Sequence, residues 1–159
     1  MAAGNSDDDA SNYSPARAEQ AITVAASTFA DEKYSISNYG ATVNIWAAGR
    51  HVTSTWNDGK TKTKSGTSMA APHVAGFAAY LLGIDSTLTP DQIATIISDR
   101  ALDGVLSGVR EFFAPRCMFD LRTLKSTPPV ADGTVNKLLN NFLALRLSDS
   151  GKRGVPTPI

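Results

Sequence analysis

The 159-residue chain predicts an α/β fold. Two short apolar runs read as buried strands. Two longer runs read as helices, one rich in alanine and one amphipathic. They follow one another as strand, turn and helix, the order expected of helices packed on a sheet.

The first strand is "AITVAAS", residues 21–27, where Ile22, Val24 and Ala26 alternate with Thr23 and Ala25. The second is "ATVNIWAAG", residues 41–49, with Val43, Ile45 and Ala47 assigned to one face and Gly49 ending the run. "HVTSTW" and "KTKTKS" then flank Asn57-Asp58-Gly59, two β-type runs around a turn, which predicts a hairpin. In its second arm Lys60, Lys62 and Lys64 alternate with Thr61, Thr63 and Ser65. That pattern gives a wet, cationic face at a sheet edge.

The first helix is predicted over residues 68–82, with Ala70, Ala71, Val74, Ala75, Ala78, Ala79, Leu81 and Leu82 allowing close packing. The second opens on Thr89-Pro90-Asp91-Gln92. Threonine suits the N-cap, proline the first helical position, and Gln92 closes a capping box. Ile93, Ile96, Ile97 and Ala101 make its apolar stripe, and Gly104 suits its end. A third helical segment is read over residues 135–145, through Leu138, Leu139, Phe142 and Leu145.

Composition narrows the function classes. Hydrophobic residues make up 42% and charged residues 19%, a globular balance. Lys+Arg and Asp+Glu both number 15, so the net charge of zero gives no general attraction to nucleic acid or anionic membrane, and neither is expected as a partner. No uninterrupted apolar run approaches the roughly 18 residues of a membrane span. One cysteine, Cys117, makes no internal disulfide, and with two histidines it forms no metal-ligand cluster. The opening "MAAGNSDDDASN" carries neither a basic nor an apolar stretch, so no signal peptide is expected in this chain. Its Asp7-Asp8-Asp9 run reads as a solvated loop.

The stretch "GTSMAAPHVAG", residues 66–76, carries the chemistry. A serine beside a helix N-terminus either caps the helix or acts as a nucleophile, its negative tetrahedral product held by the same unpaired N–H groups. Gly66 permits a close backbone approach. Pro72 lacks an N–H and is read in or near the first turn, where a missing donor costs little, setting the helix start close to Ser68. His73 lies five residues beyond Ser68, about 500° around a helix, and so points away from it. It is expected to pack and hydrogen-bond within the helix layer. His51 follows Gly49-Arg50 in a loop and matches no catalytic pattern.

"SGTSMAAPHVAGFAAYL" resembles the nucleophile motif of the subtilisin-like serine proteases, most closely the proteinase K type. "AAGNSDDDASNYSPA" resembles that family's oxyanion-hole region, "YSISNYGATVNIWAAGRHVTSTW" the strand and loop before the nucleophile, and "GTVNKLL" (residues 133–139) its last turn. The resemblance implies a three-layer α/β fold with a mainly parallel sheet, of which the chain carries the C-terminal portion. It implies serine endopeptidase action on a polypeptide substrate. Ser68 would be the nucleophile and Asn5 the oxyanion-hole amide. The Ala2, Ala3 and Gly4 backbone would form one wall of a substrate pocket, closed in part by Tyr13. The family is mostly secreted or vacuolar.

The same resemblance shows departures. The Asp-Ser/Thr-Gly and His-Gly-Thr-His strings that supply the family's aspartate and histidine do not occur, so the chain is expected to be inactive alone. In subtilisin, loss of the serine or histidine lowers turnover on the order of 10⁶-fold, and loss of one oxyanion donor about 10²–10³-fold; those magnitudes are that enzyme's. A missing N-terminal half or an inhibitory propeptide is the implied protein partner. The alternative is a non-catalytic remnant or a peptide-binding pseudo-protease. An in-frame His-Gly-Thr-His upstream of Met1 would decide between them. Asn44 stands where proteinase K-type enzymes have a calcium-binding aspartate, and a neutral amide is a weaker ligand for that ion, so neither a metal nor another cofactor is expected.

The chain therefore divides into residues 1–108 and 133–147 as catalytic-domain sequence, 109–132 as an atypical aperiodic insertion, and 148–159 as a tail expected to be disordered. The insertion reads as a retained intron translated in frame, with a genuine surface insertion as the alternative.

Overall fold

The computed structural model describes residues 1–109, 135 and 137–139. Strand β1 (Val24–Ser27) lies parallel to β2 (Ile45–Ala48), with Val24 beside Ile45 and Ala26 beside Ala47. All four residues of β1 are buried because both faces of the sheet are covered. Ahead of β1, residues 1–3 run parallel to it through an Ala2–Val24 bridge.

β3 (Val52–Thr55) and β4 (Thr61–Lys64) form the expected antiparallel hairpin, a separate two-stranded sheet with the β4 lysines exposed. Gly59, at φ +77°, closes its turn by donating to the Trp56 carbonyl.

α1 (Thr67–Ile84) covers one face of the main sheet. Its Ala70, Val74 and Leu81 join Val24, Ala26, Ile45 and Ala47 in one core. α1 has no acidic or basic side chain in its first or last turn, and by length and composition alone it could cross a membrane. The sequence holds no uninterrupted apolar run of that length; α1 meets the length and composition because glycines, His73 and Pro72 interrupt its apolar residues without adding charge.

α2 (Pro90–Arg100) has the predicted capping box: Thr89 Oγ1 accepts from Gln92 N–H, and Gln92 Oε1 accepts from Thr89 N–H. Ile93 and Ile97 seat it in the same core, each burial contributing about 1.5–3 kcal/mol. The helix ends at Arg100 with Ala101 as its C-cap, not at Gly104; β5 (Leu102–Asp103) intervenes, and Gly104 turns the chain after it at φ +68°.

β6 (Lys137–Leu138) corrects the helix expected over 135–145; the remainder of that segment lies outside the described residues. β6 inserts between β2 and β5, parallel to the first and antiparallel to the second, giving the order β1-β2-β6-β5. Leu138 packs on one sheet face and Leu139 in the core on the other, a period of two that the leucine pair obscured. Trp46 Nε1 donates to the Val135 carbonyl at 2.7 Å, fastening this segment to β2.

The second sheet face carries Ala25 and Trp46 against Ala3, Ala10, Ala16 and Leu106, with a 3₁₀ turn at Ala10–Asn12. Val43 belongs here, not with Ile45 and Ala47. Its N–H closes a turn onto the Gly40 carbonyl before β2 begins, so strand alternation does not reach back to it. Residues 110–132 and the 148–159 tail lie outside the described residues.

Candidate active site

α1 begins one residue before the predicted start. Gly66 is its N-cap, at φ +146°, with no side-chain cap. Ser68 is therefore the second helical residue and does not cap. It is exposed, and its hydroxyl makes no hydrogen bond to another described residue. Pro72 lies in the helix interior, where the N–H that would have bonded the Ser68 carbonyl is missing. The proline thus sits a turn deeper than read from the sequence.

Asn5 supplies what the N-cap lacks. Its Oδ1 accepts from the Thr67 N–H at 2.9 Å and from Thr67 Oγ1 at 3.2 Å. The first N–H groups of a helix have no partner within it, so a carboxamide oxygen here satisfies one of them and meets the positive end of the helix dipole. With Oδ1 engaged on Thr67, the residue before Ser68, the Asn5 Nδ2 is left without a hydrogen bond to a described residue. A side chain on Gly66 would press on this carboxamide, its Cβ falling 3.3 Å from Asn5 Oδ1.

Thr67 is the residue that the sequence reading missed. Fully buried, its hydroxyl donates to Asn5 Oδ1 and accepts from the Gly4 N–H at 3.1 Å, fastening the 4–5 segment to the helix start. The threonine inside Gly-Thr-Ser was the available signal. Asn38, in the stretch before β2, is also fully buried. Its Nδ2 donates to the Ala3 carbonyl, its Oδ1 accepts from the Ser6 and Asp8 N–H groups, and its own N–H donates to the Gly4 carbonyl. Gly4 sits at φ +112°, and a Cβ there would fall 2.3 Å from Asn38 Nδ2, so the site tolerates only glycine.

The other expected site residues are placed as follows. The N–H groups of Ala3 and Gly4 both donate inward, to the Val24 carbonyl and Thr67 Oγ1. Any wall they form is one of shape, without free N–H donors. Ala2 keeps its own N–H and C=O unbonded among the described residues. Tyr13 packs its ring against the second core and donates its hydroxyl to Asp8 Oδ2 at 3.1 Å. Asp8 and Asp9 are half-buried turn acceptors, while Asp7 is exposed beside Lys33. His73 stays within its helix, Nδ1 against the Met69 carbonyl at 2.8 Å, and His51 is exposed; neither bonds Ser68. Asn44 Oδ1 accepts the Thr23 N–H at 2.7 Å, and no group of three metal-binding side chains occurs among the described residues.

The same arrangement of helix, sheet and motif recurs in known proteins. A family model described as the subtilase family matches residues 1–141. The chain belongs to the subtilase family. It is 50% identical over 109 residues to the cuticle-degrading protease of Metarhizium anisopliae, covering 69% of this chain and 28% of that protein. It is 47% identical over 110 residues to alkaline serine exoprotease A of Vibrio alginolyticus, covering 69% and 21%. A cold-adapted subtilisin-like serine proteinase of solved structure superposes with a TM-score of 0.73 at 39% identity, over 90% of this chain and 44% of that one. The chain thus spans roughly a quarter of the length of these curated relatives.

Proposed function

We propose that the chain carries the nucleophile and oxyanion-binding side of a serine endopeptidase acting on polypeptides. Ser68 is the group acylated, and Asn5 Nδ2 donates to the oxyanion of the tetrahedral intermediate. The observation that supports this most is the Asn5 carboxamide held by Thr67 at the start of α1, its Nδ2 uncommitted among the described residues, while Ser68, the residue that follows Thr67, has an exposed hydroxyl without a described partner. A preorganised donor of this kind acts where charge develops and needs no rearrangement at the moment of reaction.

The general base is not among these residues. The sequence holds two histidines, His51 and His73, and neither bonds Ser68. A serine hydroxyl without a base is a poor nucleophile, so the aspartate and histidine come from polypeptide beyond these residues, and the chain by itself is inactive. Secretion follows from the same reading, since the relatives include an exoprotease and a cuticle-degrading protease.

Chemical rescue tests the proposal. The chain is treated with a fluorophosphonate in the presence of free imidazole as surrogate base, and labelled sites are read by peptide mass spectrometry. Labelling is expected at Ser68 above the other exposed serines, falling about 10²-fold in Asn5→Ala. Labelling spread evenly over exposed serines, or indifferent to Asn5, would contradict it and favour the non-catalytic peptide-binding reading.

A further inference from the structure

The hairpin and α1 flank an open cavity of about 410 Å³ whose lining includes Ser54, Trp56, Lys62 and Lys64 from the hairpin and Met69 and His73 from the helix. Lys62 and Lys64 both bring their ammonium groups over one ring, 4.8 Å and 5.0 Å from the Trp56 centroid. Each such contact contributes about 0.5–1 kcal/mol at an exposed site, yet together they draw two like charges to the same ring. Neither lysine has a carboxylate partner, since the ion pair among the described residues is Lys33–Asp7. No acidic residue lines the cavity among the described residues, and Asp58 in the hairpin turn accepts the Lys60 N–H through Oδ1.

We propose that this cavity binds an acidic side chain of a polypeptide. A glutamate there lays its methylenes on Trp56 and sets its carboxylate between the two ammonium groups, relieving their repulsion while Ser54 offers a hydroxyl. The space exceeds what a single small anion fills, and Val52, Met69 and Pro72 give it an apolar part suited to a peptide chain. Met69 follows Ser68 directly, so the bound segment belongs to the substrate, and only this last step rests on the endopeptidase reading. Two lysines in a chain of zero net charge are a thin footprint for nucleic acid, which needs an extended basic surface.

The test is binding without turnover. Trp46 is fully buried and Trp56 is 38% exposed, so the quencher-accessible tryptophan fluorescence reports Trp56. Blocked hexaglutamate is titrated into the chain and into the double variants Lys62→Gln/Lys64→Gln and Lys62→Arg/Lys64→Arg. Binding is expected in the parent and the arginine variant, about tenfold weaker in the glutamine variant, with affinity falling as salt is raised. Absence of binding, or equal binding by the glutamine variant, would overturn the proposal. Tripolyphosphate or a short oligonucleotide binding as tightly as hexaglutamate would overturn the assignment to polypeptide. Ser68 labelling and hexaglutamate binding are separate readouts, so either reading can fail while the other stands.

Discussion

At the start of α1, Thr67, Gly4, Asn5 and Asn38 are tied by hydrogen bonds spanning more than thirty residues of sequence, and the side chains of Thr67 and Asn38 are fully buried. Across the cavity the hairpin is built the opposite way. Its strands pair locally, β4 is exposed along its length, and its lysines meet a ring instead of carboxylates. The first region fixes one carboxamide in one orientation. The second leaves charge free for something outside the chain. Precision sits where backbone and buried side chains converge, and adaptable recognition sits where they do not.

The largest effect is expected from Gly4→Ala, which places a Cβ against Asn38 Nδ2 in a backbone conformation hostile to alanine. It should cost about 3 kcal/mol or more in urea unfolding. An unchanged midpoint would mean that the junction is looser than described. Thr67→Val keeps the shape but strands the Gly4 N–H, for a loss of about 1–3 kcal/mol by the same measurement. Lys62→Gln/Lys64→Gln, by contrast, should shift stability by no more than about 0.5 kcal/mol, because what the two contacts with Trp56 contribute is offset by the repulsion between the exposed ammonium groups they bring together. A large loss there would erase the contrast between the two regions.

The smallest effect concerns the other end of α1, where Asp85 is the C-cap. The Thr87 hydroxyl and then its N–H donate to the Asp85 carboxylate and hold its pKa below the usual value. A lowered folded-state pKa gives a contribution that is complete above the unfolded carboxyl value and lost as pH falls through the folded one. In Thr87→Val, an NMR titration should show the Asp85 pKa rise toward its ordinary value.

Much of the fold was legible because its signals are local. The capping box of α2 needs only Thr89 to Gln92, and the hairpin needs only a turn between two β-type runs. The strand at Lys137–Leu138 was not legible, because its partners Trp46 and Leu102 are remote and two adjacent leucines fit a helical period as well. Val43 was misassigned since a turn, not alternation, sets its direction. At the site, Ser68 and Asn5 stood out by motif, whereas the work of Thr67 and Asn38 depends on bonds across the fold that no spacing reveals. Pro72 was read too near the helix start because Gly66, without a side-chain cap, gives no sequence mark of the boundary.

The central claim is that Asn5, not the helix itself, holds the Thr67 N–H. The amide at the first position of a helix has no partner within it and would otherwise exchange freely with solvent. Hydrogen exchange at that single amide, followed by NMR in the parent chain and in Asn5→Ala, tests the claim directly. The account predicts that Thr67 is protected in the parent and loses about tenfold or more of that protection in the variant. A Thr67 amide that exchanges equally fast in both proteins would contradict it.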